Sequence, residues 1–394
     1  MRHASALLSL LLLVATSTAA DPANVTVFKN GDDGYKIFRI PSLICAANGN
    51  LLAFCEARAG GDASEIDLVL KRSLDGGKTW GPLEKVQESD DFKPLFGDKP
   101  PEITVGNPCP VVDHLDLEHR GRLWLAFTVE NHFVFVTYSD DHGLNWAKPR
   151  DITKDVKKPD WGWYATGPCH AIQILQGPHR GRLVIPADHR VSSTGGDKGP
   201  CGVQMIFSDD HGQTWRLGAI DDNYDDTLES NETTIAELAG GRLYINTRDQ
   251  NGKMPGTRAE AFSNDGGSTF DPTGLPDWKS FKPCPDILDP PVVQCSLLRI
   301  TNHGKDPLLV FSGPDEHGPS GGGRKDLRLR YSRDDAKTWT DGPLIHTGPA
   351  AYSDLAEVRP ATGELGILFE AGDAGTKSCT RIDFAVVKPY EAHE

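Results

Sequence analysis

Short apolar runs recur along the chain and predict its secondary structure. Each is three to six residues long and rich in Leu, Val, Ile, Phe and Tyr, which is typical of β-strands. Clear examples lie at residues 68–70, 123–127, 133–138, 204–207 and 242–246. The chain contains 41 glycines and 28 prolines, so many turns are expected between these runs. The pattern favours an all-β protein built from small antiparallel sheets.

An eight-residue polar segment follows several of the strand-like runs. Its pattern is Ser-x-Asp-x-Gly-x-Thr-Trp, with copies at 73–80, 139–146, 208–215, 263–270 and 332–339. The Ser and Asp oxygens can accept hydrogen bonds from turn N–H groups, and the Gly tolerates a positive φ. Each copy is therefore predicted to join two antiparallel strands. The fifth copy has Ala336 at the Gly position, so its turn geometry is the least certain.

The spacing of the turns predicts the architecture. The copies recur about every 65 residues, and about six such units fit the length that remains after an N-terminal leader. A repeat of this size with several strands per unit is typical of blades arranged around an axis. We therefore expect a six-bladed β-propeller of four-stranded antiparallel sheets. The sixth blade has no turn copy and is expected from residues 365–370 and 382–387, closed by an N-terminal strand at 25–28.

The N-terminus and the net charge limit the functions that the protein can have. Residues 1–20 combine Arg2, an apolar run at 7–14 and small residues at 18–20, which is typical of a secretory signal peptide. The apolar run is too short for a membrane span. Residues 21–394 would form one exported domain. A net charge of −15 argues against nucleic acid and anionic membranes as partners.

The acidic turns and the eight cysteines are candidate metal or disulfide sites. The Asp pairs at 140–141 and 209–210 lack the ligand spacing of a calcium loop, and no cysteine spacing resembles a zinc site. Disulfides are permitted in an exported chain, with Cys45–Cys55 and Cys284–Cys295 as the pairs closest in sequence. We expect no metal and no cofactor.

A second motif near the start of the mature chain points to a family. Tyr35-Lys36-Ile37-Phe38-Arg39-Ile40-Pro41 precedes residues 51–58, which end in Arg58. Together with the five turns, this Phe-Arg-Ile-Pro motif resembles the sialidase (neuraminidase) family over essentially the whole mature chain. The resemblance implies an enzyme that removes terminal sialic acid from glycans.

Three arginines bind the sialic acid carboxylate in that family, and the resemblance implies matching positions here. Arg39 is the first, and Arg248 in Asn-Thr-Arg is the second. Arg324 is the preferred third, with Arg328 and Arg330 as close alternatives. Bidentate guanidinium groups suit a carboxylate ligand.

The resemblance also implies a nucleophile and its partners. A carboxylate that attacks a carbon already bearing a carboxylate is repelled, so a neutral nucleophile is favoured, and sialidases use tyrosine. Tyr352 in Ala-Tyr-Ser-Asp-Leu is the expected nucleophile, and Glu232 is the expected base. Glu370, which lies in an apolar run, is expected to hold Arg39.

The general acid is expected in the loop at residues 58–67. Asp62 is our choice, and its neighbouring glycines suit a loop that closes over substrate. Asp67 and Glu65 remain alternatives. Arg58 is expected near the acid and the outer hydroxyls of the sugar.

Further positions are expected at the edge of the site. Asn107 and Asp113 match a segment that approaches the polar edge of the sugar in relatives. Trp161, Trp163, Tyr164 and the turn at residues 166–170 are expected to line either the N-acyl pocket or the site for the next sugar, although packing would explain them almost as well.

The sequence thus predicts a retaining exo-α-sialidase that acts on glycoproteins, glycolipids and oligosaccharides, with a sialylated glycan as its partner and a monomeric state. A silent sialic-acid-binding propeller and a trans-sialidase are the alternatives. The signal peptide predicts a secreted or periplasmic protein, or a lysosomal one in a eukaryotic host.

Overall fold

The computed structural model describes residues 24–98, 102–192, 198–224, 227–252, 256–288, 290–301, 306–315, 323–359 and 363–390. The signal peptide predicted at residues 1–20 lies outside these ranges. No described helix is long and apolar enough to cross a membrane.

The regular secondary structure of the described chain is almost entirely β, as the apolar runs predicted. Strand β1 (Val25–Lys29) pairs with the last strand of the chain, so the N-terminus completes the final sheet. Within the described residues, four short segments are helical: Ser89–Phe96, Thr153–Val156, Ala239–Gly241 and Asp286–Leu288.

Four sheets follow in chain order, and each is antiparallel. The first contains β2 (Ile37–Cys45), β3 (Leu51–Arg58), β4 (Ile66–Ser73) and β5 (Glu84–Gln87). The second contains β6 (Val105–Asp113), β7 (Arg122–Val129), β8 (Phe133–Ser139) and β9 (Arg150–Asp151). The third contains β10 (Trp161–Thr166), β11 (Ile172–Gln173), β12 (Leu183–Val191), β13 (Cys201–Ser208) and β14 (Arg216–Ile220). The fourth contains β15 (Ser230–Glu237), β16 (Leu243–Asp249), β17 (Arg258–Ser263) and β18 (Lys282–Pro283).

The last sheet has seven strands and differs from the expectation. It contains β19 (Ser296–Ile300), β20 (Leu308–Pro314), β21 (Lys325–Ser332), β22 (Thr340–Arg359), β23 (Glu364–Ala371), β24 (Arg381–Val387) and β1. The prediction of six separate four-stranded sheets is therefore wrong, since the described residues form five sheets. The physical reason is β22, which runs on without a break: it pairs with β21 up to Pro349 and with β23 from Ala350 onward.

The sheets are arranged like the blades of a propeller. Strands of successive sheets contact each other, and these contacts close a ring because β22 in the last sheet contacts β2 in the first. The strands of the ring are β2, β6, β11, β15, β19 and β22. Apolar side chains fill the spaces between adjacent sheets rather than one central core. This arrangement leaves polar side chains free to converge on the axis.

All five repeated turns have the predicted hydrogen bonds. In the first copy, Ser73 Oγ accepts from Gly77 N at 2.8 Å, and Asp75 accepts from Thr79 N at 3.0 Å. The same bonds recur in the other four copies. Ala336 adopts φ 67° in the fifth copy and still donates to Ser332 Oγ at 3.0 Å. The turn therefore tolerates alanine there.

A buried carboxylate connects several strands of the ring. Asp354 in β22 is fully buried and accepts hydrogen bonds from Leu43 N at 2.8 Å and Ser296 Oγ at 2.7 Å. It also accepts from His170 N at 2.9 Å and lies 2.7 Å from His170 Nδ1. Ser42 Oγ is 3.2 Å away. One side chain thus joins β22 to β2, to β19 and to the segment before β11.

We expect Asp354→Asn to lower the free energy of unfolding by about 3 kcal/mol, because the amide brings donor hydrogens to a site surrounded by donors. Urea unfolding measures this change, and an unchanged m value shows that the substitution has altered stability alone. The matched control is Asp155→Asn in an exposed helical turn, which should change stability by less than about 0.5 kcal/mol. Equal effects of the two substitutions would contradict the role given to Asp354.

Candidate active site

A pocket of about 500 Å³ opens where the inner strands begin. Its described lining contains five arginines and three carboxylates, a local excess of positive charge in a protein of net charge −15. The arginines are Arg39, Arg58, Arg190, Arg248 and Arg324, and the carboxylates are Glu56, Asp62 and Glu232. Such a site suits an anionic ligand, and the overall acidity does not prevent it because the charge is concentrated locally.

Arg39 is held by Glu370, as the sequence predicted. The Arg39 Nε donates to Glu370 Oε1 at 2.8 Å, and its Nη2 donates to Oε2 at 3.1 Å. Ile40 N also donates to Glu370 Oε1, at 3.0 Å. Burial opposes the charge of Arg39, but Glu370 outweighs it and raises the pKa of the guanidinium. The two residues lie on β2 and β23, far apart in sequence.

Tyr352 and Glu232 are in direct contact. The Tyr352 hydroxyl donates a short hydrogen bond to Glu232 Oε1. Arg248 Nη1 donates to Glu232 Oε2 at 2.7 Å and to the Tyr352 hydroxyl at 3.2 Å. Burial and the neighbouring Glu232 charge raise the pKa of Tyr352, while the surrounding arginines act in the opposite direction. The phenol therefore remains protonated at neutral pH and needs a base to become a nucleophile.

Arg324 is the third arginine near Tyr352. Its guanidinium carbon lies 5.7 Å from the centre of the Tyr352 ring, and that of Arg39 lies 5.0 Å from it. Arg324 Nη2 donates to Val292 O at 2.8 Å, which orients the side chain. The two alternatives are excluded from the site, because Arg328 and Arg330 both pair with Asp315.

Asp62 lies at the pocket, exposed over 86% of its side chain. It forms a short ion pair with Arg58 Nη1 and lies 3.9 Å from Arg39 Nη1. Desolvation by neighbouring protein atoms opposes ionisation, but Arg58 and then Arg39 outweigh it and lower the pKa of Asp62. Asp67, one alternative, instead accepts from Ser89 N and Tyr35, away from the pocket. Glu65, the other, accepts from Ser89 Oγ.

Glu56 is a residue that sequence reasoning missed. It accepts from Arg58 Nε at 2.9 Å and Nη2 at 2.5 Å, and from Asn107 N at 2.9 Å. Asn107 lines the pocket as expected, and its Nδ2 donates to Thr128 Oγ1 at 2.9 Å. Glu56 directly opposes Arg39 across β2 and β3, so the alternation of these strands offered a signal.

Asp113 does not lie at this pocket, contrary to the expectation. It is fully buried at the far end of β6, where Gln173 Nε2 donates to it at 2.6 Å and His211 Nδ1 lies 2.8 Å away. The physical reason is strand length: Asn107 and Asp113 are six residues apart on one strand, which separates them by about 20 Å. Asp113 forms a structural contact between two sheets.

Only some of the aromatic residues predicted for the site lie at the pocket. Trp163 lines the pocket together with Arg190, whose guanidinium carbon lies 5.9 Å from the centre of the indole. Trp161 and Tyr164 are buried in the core between sheets. The turn at residues 166–170 is also buried and contributes no residue to the pocket lining. Arg190 was not predicted, because nothing in its local sequence distinguishes it from a surface arginine.

The cysteine pairs suggested by sequence proximity do not form. No disulfide bond joins any of the eight cysteines, all of which lie within the described residues. Cys45 on β2 is opposite Leu51 of β3, whereas Cys55 lies further along β3 and is opposite Val69 of β4. The two cysteines are therefore not opposite each other.

Comparison with known proteins agrees with this geometry. Residues 49–367 match the BNR repeat-like domain family. Sialidase-3 from Homo sapiens is 30% identical over 422 residues, covering 92% of this chain and 91% of that protein. The protein belongs to the sialidase family.

Other members of the sialidase family are similar over most of the chain. A sialidase from Micromonospora viridifaciens is 29% identical over 87% of this chain, which spans about half (51%) of that relative's length. The solved structure of the Hadza microbial sialidase Hz136 is 26% identical, with a TM-score of 0.74 over 94% of this chain and 69% of that chain. The propeller-like fold is therefore that of known sialidases.

The contact of Glu56 with Gly106 can be tested without a ligand. A β-carbon at position 106 would overlap Glu56 Oε1, so Gly106→Ala must displace Glu56 and loosen Arg58 and Asn107. We expect a loss of about 1–3 kcal/mol in the free energy of unfolding. Gly61→Ala, on the same rim with no atom within 4 Å of the added carbon, is the control, with an expected change under about 0.5 kcal/mol. Urea unfolding distinguishes them, and equal stabilities would disprove the packing argument.

Proposed function

We propose that the protein is a retaining exo-α-sialidase that hydrolyses terminal sialic acids of glycoproteins, glycolipids and oligosaccharides. The observation that carries the proposal is the convergence of three guanidinium groups on Tyr352, which itself donates to Glu232. A cationic cluster around a tyrosine–glutamate pair matches a substrate whose reacting carbon bears a carboxylate.

Substrate binding uses the arginine atoms that remain available. Arg39 directs Nε and Nη2 to Glu370, so Nη1 is the atom that faces the pocket. Arg248 is fixed by Glu232, and Arg324 by Val292 O. Because these side chains are already held in place, little conformational entropy is lost when the carboxylate binds. The three arginines would thereby hold the anomeric carbon over the hydroxyl oxygen of Tyr352.

Formation of the glycosyl-enzyme begins with proton transfer. Glu232 takes the phenolic proton of Tyr352 as the oxygen attacks the anomeric carbon, and the bond from that carbon to the leaving oxygen breaks. The electron pair of the broken bond goes to the leaving oxygen, which receives a proton from Asp62. Positive charge on the neighbouring arginines stabilises the developing phenolate.

Asp62 must change its environment before it can act as an acid. Beside Arg58 it is held in the ionised form, since that pair lowers its pKa. We propose that substrate binding draws Asp62 away from the arginines toward the glycosidic oxygen, which raises its proton affinity. Its high exposure allows this movement. Water then attacks the intermediate with Asp62 as base, Glu232 returns the proton to Tyr352, and configuration is retained.

The architecture and location complete the proposal. We propose that the seven-stranded sheet acts as two blades that share β22, which would give six blades around the pocket. We also propose that the protein is exported and acts as a monomer, as the N-terminal sequence and the acidic composition suggest.

Replacement of the nucleophile tests the mechanism. We expect Tyr352→Phe to lower kcat on sialyllactose by about 1,000-fold or more, because the phenyl ring cannot form the glycosyl-enzyme. Tyr138→Phe, on β8 outside the pocket, is the matched control and should retain wild-type kcat. Release of sialic acid measures both. A wild-type protein that binds sialic acid without turnover would contradict the proposal and favour a binding module.

The leaving group tests the role of Asp62. We expect Asp62→Asn to lower kcat on sialyllactose by about 100-fold or more, since the leaving oxygen then lacks a proton donor. The nitrophenolate of a nitrophenyl sialoside departs without protonation. Asp62→Asn should therefore lower kcat on that substrate by less than about 10-fold. Equal losses on the two substrates would rule out Asp62 as the acid. If lactose is added and sialylated lactose becomes the main product, the protein is instead a transferase.

A further inference from the structure

Arg58 in the active site is shared by two carboxylates that differ in their freedom to move. Its Nε and Nη2 both donate to Glu56 Oε2, at 2.9 and 2.5 Å, and its Nη1 pairs with Asp62. The Glu56 side chain is 5% exposed, whereas that of Asp62 is 86% exposed. One partner of Arg58 is therefore buried within a sheet, and the other approaches it from an exposed loop.

The second oxygen of Glu56 is held by a β-bulge in the neighbouring sheet. The register of β6 and β7 shifts between Gly106 and Cys109, which marks the bulge. Asn107 in this bulge has φ 59°, and its N–H donates to Glu56 Oε1 at 2.9 Å. A β-carbon on Gly106 would overlap the same oxygen, so the bulge packs closely against the carboxylate. Glu56 is thus fixed by contacts from two sheets.

The partner of Arg39 is fixed in the same manner. The register of β2 and β3 shifts between Arg39 and Ser42, which marks a second bulge. Ile40 in this bulge has φ 58°, and its N–H donates to Glu370 Oε1 at 3.0 Å. Glu370 binds the Arg39 guanidinium with both oxygens. In both places, a bulge N–H fixes a buried glutamate, and that glutamate holds an arginine of the active site.

Glu56 allows Arg58 to lose Asp62 without becoming an unpaired charge. A buried guanidinium group with no carboxylate partner is strongly unfavourable. If Asp62 were the sole carboxylate at Arg58, its departure would create such a charge, and the ion pair would hold the acid in place. With Glu56 present, Arg58 stays neutralised and keeps its orientation after Asp62 leaves.

The other cations that attract Asp62 also have partners of their own. These cations are Arg39 and Arg324. Arg39 is bound by Glu370, and Arg324 donates to Val292 O at 2.8 Å. None of the arginines around Asp62 therefore depends on it to stay in place.

We propose that Glu56 is a positioning residue for the general acid: it keeps Arg58 neutralised and in place, so that Asp62 can move to the glycosidic oxygen. This inference rests on the proposed sialidase function, in which Asp62 is the acid. Glu56 acts through Arg58 and not on the substrate, because its oxygens already accept from three N–H groups and its side chain is almost fully buried.

The leaving group of the substrate reveals this role. We expect Glu56→Gln to lower kcat on sialyllactose by about 30-fold, because Arg58 then retains Asp62 as its one carboxylate partner among the described residues. On a nitrophenyl sialoside, whose leaving group needs no proton, the loss should be under about 3-fold. Equal losses on the two substrates would indicate general disruption of the site and would overturn the proposal.

The matched control is Glu84→Gln, which removes a carboxylate from an arginine outside the pocket. Glu84 lies 3.2 Å from Arg72 Nη2, and neither residue lines the active site. This variant should retain wild-type kcat on both substrates. A loss like that of Glu56→Gln would show that breaking any arginine–glutamate pair has the same effect, which contradicts a specific role for Glu56.

Combination with Asp62→Asn separates positioning of the acid from a direct effect on the reaction. In that background, Glu56→Gln should lower kcat on sialyllactose by less than about 3-fold, because the group that it positions is already absent. A further loss of about 30-fold would show that Glu56 acts independently of Asp62, and the proposal would fail.

A measurement without substrate tests the contact between Glu56 and Arg58 directly. Asp62→Asn imitates the departure of the acid, and solvent exchange of the Arg58 Nε hydrogen is followed in ¹H–¹⁵N spectra of the full protein. The signal is assigned by its loss in Arg58→Lys. We expect the hydrogen to stay protected in Asp62→Asn and to exchange about 10-fold faster or more once Glu56→Gln is added.

The outcomes distinguish this inference from the proposed function. Equally fast exchange in Asp62→Asn and in the double variant would overturn the inference alone, even if the wild-type protein hydrolyses both sialosides. A wild-type protein that turns over neither sialoside would overturn the proposed function and, with it, the role of Glu56 in positioning the acid.

Discussion

The Asp354 carboxylate is the interaction on which the centre of the ring depends. A buried carboxylate is costly unless it is surrounded by donors, and here they come from β2, from β19 and from the segment that contains His170. Strand β2 also carries Arg39 into the active site. Tyr352 lies two residues before Asp354 on β22. The hydrogen bonds of Asp354 that join the ring strands therefore also fix the position of Tyr352 along the axis of the ring.

Charge balance explains the form of the active site. Burial of several guanidinium groups is tolerable only where carboxylates neutralise them, and three carboxylate partners lie behind or beside the arginines. Glu370 supports Arg39, Glu232 supports Arg248, and Glu56 supports Arg58. The arginines are thereby fixed before any ligand arrives. Asp62 is the exception, because it pairs with Arg58 from an exposed loop and can therefore move.

Much of this site was predictable, because the decisive residues lie in short motifs with strong family resemblance. Arg39, Tyr352 and Glu232 are examples, and the repeated turns indicated where the sheets would fold. Asp113 was misplaced because its motif was matched without regard to strand length. Arg190 and Trp163 are on β12 and β10, and they meet only because the third sheet pairs these strands. The spacing of the repeated turns did not predict that β22 is continuous, because apolar spacing alone does not show where a long strand changes its pairing partner.

The sequence by itself determined the local structure: apolar alternation sets the strands, and Ser, Asp and Gly at fixed positions set the turns, because both effects act within a few residues. It also determined which chemical groups are present. Tertiary structure alone decided which of them meet. The contacts of Asp354 with Leu43 and with His170 join residues 311 and 184 positions apart. Such contacts depend on ring closure, and no short-range pattern encodes the distance between two atoms across an axis.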